Sequence, residues 1–382
     1  MRFMSDRTSD LRKSRLSGPK ARQLPRLLAL IASGALGIGL LGIPAAGATS
    51  FDVSLSPATA FTTEGIAYSD VTGDGDADIL LPDSAGNLRV IQNTTETPDT
   101  GRLFGYAADS PTGTWQGVQI THHGSLFGGV YRSDLIAHPA GDRRMYLYMN
   151  SPTGFSISTG FFLNGSTTQG AVTCLSAGGV TVTCPSELGT DWSNANQILA
   201  IGSVNNETTS TPARTNLVAV IGTKLWLFSP GSNSVKLLAP TDTLLSALDW
   251  SDYDLIGPGP ANGTTTCTDA AGTTTTTSQA TLWTRERSTG RILAYPITRN
   301  PANNCAIDYS ALADPAQGTV IGNGIAPSAY PVVGSVGDLT GDGIPDLYGQ
   351  NPAGQVTVWP GAVGDATGRP GAVTGFEAPL AG

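Results

Sequence analysis

DVTGDGDAD (residues 70–78) and DLTGDGIPD (residues 338–346) are two copies of one nine-residue pattern, D-x-T-G-D-G-x-x-D, each leading straight into a short apolar run. The first copy packs four carboxylates into nine residues, which repel one another at neutral pH unless a cation offsets them. Calcium takes six to eight oxygens in a flexible shell. As such a loop curls, positions 1, 3 and 5 can point side-chain oxygens inward, position 7 can offer its backbone carbonyl, and position 9 can return a carboxylate from the start of a strand. The two copies decide position 7: Asp76 stands there in one and Ile344 in the other, so that side chain is not an obligatory ligand. Glycines at positions 4 and 6 permit the tight backbone path. An EF-hand would need a bidentate Glu at position 12. That position holds Leu81 in one copy and Gly349 in the other, and strand-like rather than helix-like sequence follows. A dockerin-type loop fails on the same two counts.

Outward from these loops the chain reads as all-β. Its apolar segments are short, rich in Val, Ile, Thr, Tyr and Trp, and separated by Gly, Pro, Asn and Asp. Five stretches share one plan of strand, short polar turn and second strand: 77–93, 133–150, 215–231, 280–296 and 345–361. Anchored on Asp78, Asp134, Asn216, Thr281 and Asp346, they are spaced by 56, 82, 65 and 65 residues. A unit of this size holds a four-stranded antiparallel sheet plus loops. One such sheet cannot bury both faces alone, and radial stacking of neighbours gives a β-propeller. Five blades are visible, and six or seven would follow if 51–68 and the long connections hide degenerate copies. FDVSLS (51–56) is a candidate for closing the ring from the other end of the chain. A β-sandwich and a parallel β-helix are the competing architectures, but repeats of this length are too long for β-helix coils. The low-complexity insertion at 263–278 is expected as an exposed loop at a blade rim.

The stretch VVGSVGDLTGDGIPDLYGQNPAGQVTVWPG (332–361) resembles a whole repeat of the FG-GAP/VCBS family, the propeller repeats shared with the integrin α-subunit head. SLFGGVYRSDLIAHPAG (125–141) keeps a Phe-Gly-Gly element of that family without the calcium loop. The resemblance extends over most of 61–361, strongest in the first and last units. It implies two structural calcium sites. The first would be formed by Asp70, Thr72, Asp74, the Asp76 carbonyl and Asp78. The second would be formed by Asp338, Thr340, Asp342, the Ile344 carbonyl and Asp346. In such repeats the ion pins the hairpin between the first two strands of a blade.

Residues 1–26 carry eight Lys/Arg, and an apolar stretch follows that ends in Ala46-Gly47-Ala48. This reads as a signal peptide over 1–48, cut before Thr49, with a single propeller domain over 49–382. No twin-arginine pair precedes the stretch, which favours the general secretory route. An uncleaved anchor is the alternative, although the apolar run is marginal against the ~20 residues a bilayer needs. Residues 49–382 contain 13 basic and 28 acidic residues, a net charge of −15. A chain this acidic repels phosphate, which argues against nucleic acid as a partner. Export makes disulfides plausible. The expected pairs are Cys174 with Cys184, flanking a Gly-Gly turn, and Cys267 with Cys305, flanking the Thr-rich insertion. Zinc is the weaker alternative, because no C-x-x-C pair exists.

No nucleophile elbow and no H-E-x-x-H occurs. His122, His123 and His138 read as structural histidines, and Asp249, Asp252 and Asp254 alternate along a strand rather than converge. TDWSNANQILAIG (190–202) aligns with LDWSDYDLIGPG (248–259), and Trp115 is a candidate third copy. Trp192 and Trp250 could stack sugar rings as exposed platforms, or pack between blades as core. The expected function is therefore a secreted, calcium-stabilised, non-catalytic module that binds a glycan or a protein at the cell surface or outside the cell, as a monomer. A polysaccharide hydrolase or lyase built on a propeller is the alternative.

Overall fold

The structure, a computed structural model, describes residues 68–92, 96–125, 133–151, 154–157, 174–175, 181–182, 186–188, 191–204, 215–230, 238–239, 244–268, 272–301, 305–364 and 372–380. The expected leader, FDVSLS, the Phe-Gly-Gly element and Cys184 lie outside these residues, so the 174–184 pairing does too. All that is described belongs to one compact unit, Ser54–Gly382. No helix among the described residues is long and apolar enough to cross a membrane.

Each of the five repeat stretches forms an antiparallel hairpin. The pairs are Ile79–Pro82 with Leu88–Ile91, Leu135–Pro139 with Tyr146–Ser151, and Leu217–Ile221 with Lys224–Pro230. The last two are Thr281–Glu286 with Arg291–Pro296 and Leu347–Gln350 with Val356–Trp359. Their β-branched and aromatic residues suit a pleated surface, and each short turn carries a glycine at positive φ: Gly86, Gly141, Gly222, Gly290 and Gly354. Further strands extend each hairpin into a small antiparallel sheet. Arg102–Gly105 joins the first. Val118–Thr121 and Gly154–Ile157 flank the second. Ala195–Ala200 precedes the third, which Leu238–Ala239 and Leu244–Ser246 complete. Tyr253–Ile256 and Thr319–Gly322 flank the fourth, and Val332–Gly334 precedes the fifth.

The anchors chosen on sequence hold one equivalent place in all five sheets. The N–H of Asp78, Asp134, Asn216, Thr281 and Asp346 donates to the carbonyl of Ser69, Gly124, Gly202, Gly259 and Gly337, respectively. All five acceptor residues have positive φ, between 63° and 94°. Tyr68 reaches several of these turns at once. A Cβ at Gly202, Gly259 or Gly337 would stand 3.2, 2.9 or 3.1 Å from its ring. The ring also stacks on His123, with centroids 5.0 Å apart, and its hydroxyl donates to the Gly257 carbonyl.

Among the described residues the core divides into five clusters, each shared by two sheets. Leu80, Leu88 and Val90 meet Leu135, Ala137 and Tyr148 between the first and second sheets. Ile136 and Leu147 meet Leu217, Ala219 and Phe228 between the second and third. Val218, Val220 and Leu227 meet Leu282, Leu293 and Tyr295 between the third and fourth. Trp283 and Ile292 meet Leu347 and Trp359 between the fourth and fifth. Ile79, Leu81 and Ile91 meet Tyr348, Val356 and Val358, so the fifth cluster joins the last sheet to the first. Within Leu217–Ile221 the side chains alternate between two clusters, as a strand buried on both faces requires.

Polar links reinforce two of these contacts. Gln119 accepts from the Ile198 N–H and donates to the Asn196 carbonyl. Gln197 repeats this toward the fourth sheet, accepting from Leu255 and donating to Tyr253. The Thr-rich insertion departs from the expected loop and forms a ribbon, Thr264–Thr268 paired with Thr274–Ser278. Its β-branched residues favour the extended chain, and the Thr266–Thr276 and Thr268–Thr274 hydroxyls pair across it. The expected Cys267–Cys305 disulfide is present and ties this ribbon to the neighbouring one, Thr298–Asn300 with Ala306–Asp308.

Candidate metal centre

The two aspartate loops connect to the first and fifth sheets with the same backbone. Positions 4 and 6 have φ of 79° and 98° at Gly73 and Gly75, and of 79° and 85° at Gly341 and Gly343. L side chains rarely adopt that conformation, which accounts for glycine at all four places. The first aspartate of each loop accepts from the same amides. Asp70 takes Gly73 and Gly75, and Asp338 takes Gly341 and Gly343. The ninth aspartate folds back over the second and third residues. Asp78 Oδ2 accepts from Val71 and Thr72 at 2.8 and 2.9 Å, and Asp346 Oδ2 from Leu339 and Thr340 at 2.8 and 2.9 Å. Asp346 Oδ1 also accepts from Gly361 at the end of the following hairpin.

In the first loop Asp70, Asp74 and Asp78 each bring a carboxylate oxygen within 4.8 Å of the others. Asp338, Asp342 and Asp346 stand in the same order without drawing in that closely. The hydroxyls of Thr72 and Thr340 and Oδ1 of Asp78 are buried without a partner, and Asp78 itself has 0% exposure. A buried polar atom left unpaired is costly, and these three are oxygens at the places where the sequence puts ligands. Asp74 and Asp342 are exposed at the loop tips. Ile344 at position 7 turns its side chain onto the core between the fourth and fifth sheets, leaving its carbonyl to the loop. The donor set thus consists of hard oxygens, suited to calcium rather than to zinc.

Electrostatics point the same way. Burial raises the Asp78 carboxyl to about 7 and the Asp346 carboxyl to about 6, against lowering by their backbone amide donors. Burial also raises Asp70, Asp76 and Asp342, and neighbouring loop aspartates add to it. None of the ion pairs among the described residues includes a loop carboxylate.

Of the two readings of the tryptophans, the structure bears out core packing and corrects the sugar platform. Trp192 and Trp250 both have 0% exposure, and Trp115 has 2%. Trp192 packs on Phe228, and Trp250 on Tyr253 and Tyr295. A sugar-stacking ring needs an open face, and these have none. The repeat itself is real: the N–H of Trp115, Trp192 and Trp250 donates to Gly86, Arg143 and Thr223, each in the hairpin turn of the preceding sheet. The histidines are also internal. His122 Nε2 meets the Asp78 carbonyl at 2.8 Å, His123 Nδ1 meets Ser69 Oγ at 2.6 Å, and His138 Nε2 meets the Asp142 carbonyl at 3.0 Å. Burial lowers all three, His122 to about 4. The acids of 249–254 do not converge. Asp249 caps Ser251, Asp252 accepts from Ser288, and Asp254 pairs with Arg285 and Arg287. The Tyr68 packing and the glutamine links escaped sequence reasoning. Gln119 and Gln197, four and five residues after aligned tryptophans, were the available signal.

No family model matches the chain, and no curated protein matches it. Among solved structures it is similar to a lectin of Agrocybe aegerita, described for specific recognition of non-reducing terminal N-acetylglucosamine. The identity is 14%, the TM-score 0.33, and the match covers 81% of this chain and 64% of that one. The chain therefore spans just under two thirds of the lectin's length, and a likeness this low transfers neither fold nor ligand.

Proposed function

We propose that this chain is an exported five-bladed β-propeller of FG-GAP/VCBS type, with one structural calcium ion in each aspartate loop, acting as a non-catalytic module that binds a glycan or a protein. The observation that carries the architecture is the cyclic order of the five cores, each shared by successive sheets and the last returning to the first. Radial packing of small sheets accounts for that order, whereas two sheets face to face would share one core. The calcium reading rests on two loops of like backbone whose unpartnered oxygens are those an ion would take. The Cys267–Cys305 disulfide fits an oxidising compartment. With Trp192 and Trp250 in the core, a ligand surface has to come from other residues.

The test is thermal. Calcium is expected to raise the melting temperature and a chelator to lower it, and Asp74→Ala with Asp342→Ala to remove most of the difference. The effect should depend on pH. Without an ion, Asp78 and Asp346 have folded pKa values above the unfolded carboxylate, so their contribution is fully present below about pH 4. It is lost as pH rises through about 6 for Asp346 and about 7 for Asp78. The calcium-dependent rise should therefore be larger at pH 7.5 than at pH 5, since the ion needs these groups ionised. Melting that ignores calcium and chelator at both pH values would sink the metal reading.

A further inference from the structure

The fourth sheet carries the Thr-rich ribbon where the first and fifth carry aspartate loops. The frame is shared, since the Thr281 N–H donates to the Gly259 carbonyl as that of Asp346 does to Gly337. Two links tie this ribbon to its neighbour, Thr298–Asn300 with Ala306–Asp308. Gln279, just past the first ribbon, accepts from the Arg299 N–H at 3.1 Å. Cys267 and Cys305, 38 residues apart, close the disulfide. Its two ends differ. Cys267 has 4% exposure, whereas Cys305 is half-buried. Cys305 also stands at φ 57°, in the left-handed region that an L side chain enters at a cost. Arg299 reaches outward from the second ribbon. Its Nη1 donates to the Cys305 carbonyl at 3.3 Å, and its Nη2 to the Val204 carbonyl in the connection that follows Ala195–Ala200 of the third sheet. Val204 is buried in the core between the third and fourth sheets. None of the ion pairs among the described residues includes Arg299, so backbone carbonyls hold its charge.

We infer that Cys267–Cys305 is a redox latch, opened by an external dithiol, that fixes the two ribbons and, through Arg299, their hold on the third sheet. The more open Cys305 is the point of attack. A thiolate of the dithiol bonds to Cys305 Sγ, the S–S bond breaks, and Cys267 leaves as a thiolate that takes a proton from solvent. The second thiol of the reagent then closes on the mixed disulfide and releases Cys305. The protein gains two electrons and the dithiol is oxidised to its own disulfide. Once free, Cys305 can leave the left-handed region, and its carbonyl moves away from Arg299. The guanidinium then loses one of the two acceptors that set its place, and its reach to Val204 loosens. Neither cysteine belongs to the five cores, so the release stays local. The latch stands independently of the calcium and ligand readings.

Hydrogen exchange on the full chain, with and without dithiothreitol, tests the latch. Reduction should speed exchange in 264–268, 274–278, 298–300 and 306–308 by about tenfold or more, and in 201–204 by less. Segments 79–82 and 217–221 should keep their rates. Arg299→Gln in the oxidised chain should speed 201–204 and spare 264–268, which separates the arm from the disulfide. Cys267→Ser with Cys305→Ser should match the reduced parent and ignore the dithiol. Brief treatment with glutathione, followed by alkylation and peptide mass measurement, reads the direction of attack. The mixed disulfide should sit on Cys305 about tenfold more often than on Cys267. A disulfide that the dithiol fails to reduce in the folded chain overturns the latch, as do ribbons whose exchange is unchanged after full reduction. Exchange that rises equally in 79–82 and 217–221 overturns it too, because the disulfide then braces the whole fold. Glutathione found chiefly on Cys267 contradicts the assigned point of attack.

Discussion

Trp250→Ala is expected to destabilise the fold by about 3–5 kcal/mol, a large share of the ~5–15 kcal/mol that holds a typical domain together. The indole has no exposure and lies in the core between the third and fourth sheets. Its ring centroid is 5.7 Å from Tyr253 and 5.3 Å from Tyr295 in tilted geometry. Its backbone N–H is held by the Thr223 carbonyl of the preceding hairpin turn at 2.8 Å, so the surroundings cannot easily collapse into the space left. Urea denaturation measures the loss, and Trp250→Phe should recover part of it. The same substitution separates the two readings of the tryptophan repeat. An exposed sugar platform would lose ligand and keep its stability, so an unchanged urea midpoint would contradict the packing described here.

Asp346→Ala should have an effect of similar size for a different reason. One carboxylate accepts from Leu339, Thr340 and Gly361, tying both turns of the second loop to the end of the last hairpin. Removing it leaves three amides without their acceptor. At about 1–3 kcal/mol each and less than additive, the loss should total about 3–5 kcal/mol. Asp346→Asn keeps one acceptor oxygen and should fall between. Both variants should lose the calcium response of the second loop while keeping that of the first. A chelator-sensitive melting curve identical to the parent's would contradict the role given to this side chain.

Much of this organisation was legible in the sequence, and the places where it was not share a physical cause. The anchors Asp78, Asp134, Asn216, Thr281 and Asp346 were chosen from a pattern of strand, turn and strand. They turn out to make the same backbone hydrogen bond in every sheet. That worked because strand periodicity and glycine turns are local. The loop glycines were readable for the same reason. The tryptophan repeat was visible, and packing between blades was one of its two readings, but an aromatic ring reads alike on a core face and an open one, so the exposed platform stayed as the other. Gln119 and Gln197 look like surface residues until the neighbouring strand is in place to receive both ends of the amide. Tyr68 occurs once, and its role depends on turns from separate sheets. The shared core of the first and last sheets depends on segments far apart in the chain, which no local pattern announces.

We propose that each aspartate loop holds one calcium ion. Titration of metal-free protein with calcium, followed by calorimetry, tests it most directly. Two ions per chain are expected, one for Asp74→Ala, one for Asp342→Ala and none for the double variant. A parent chain that takes up no calcium, or single variants that still bind two ions, would contradict it.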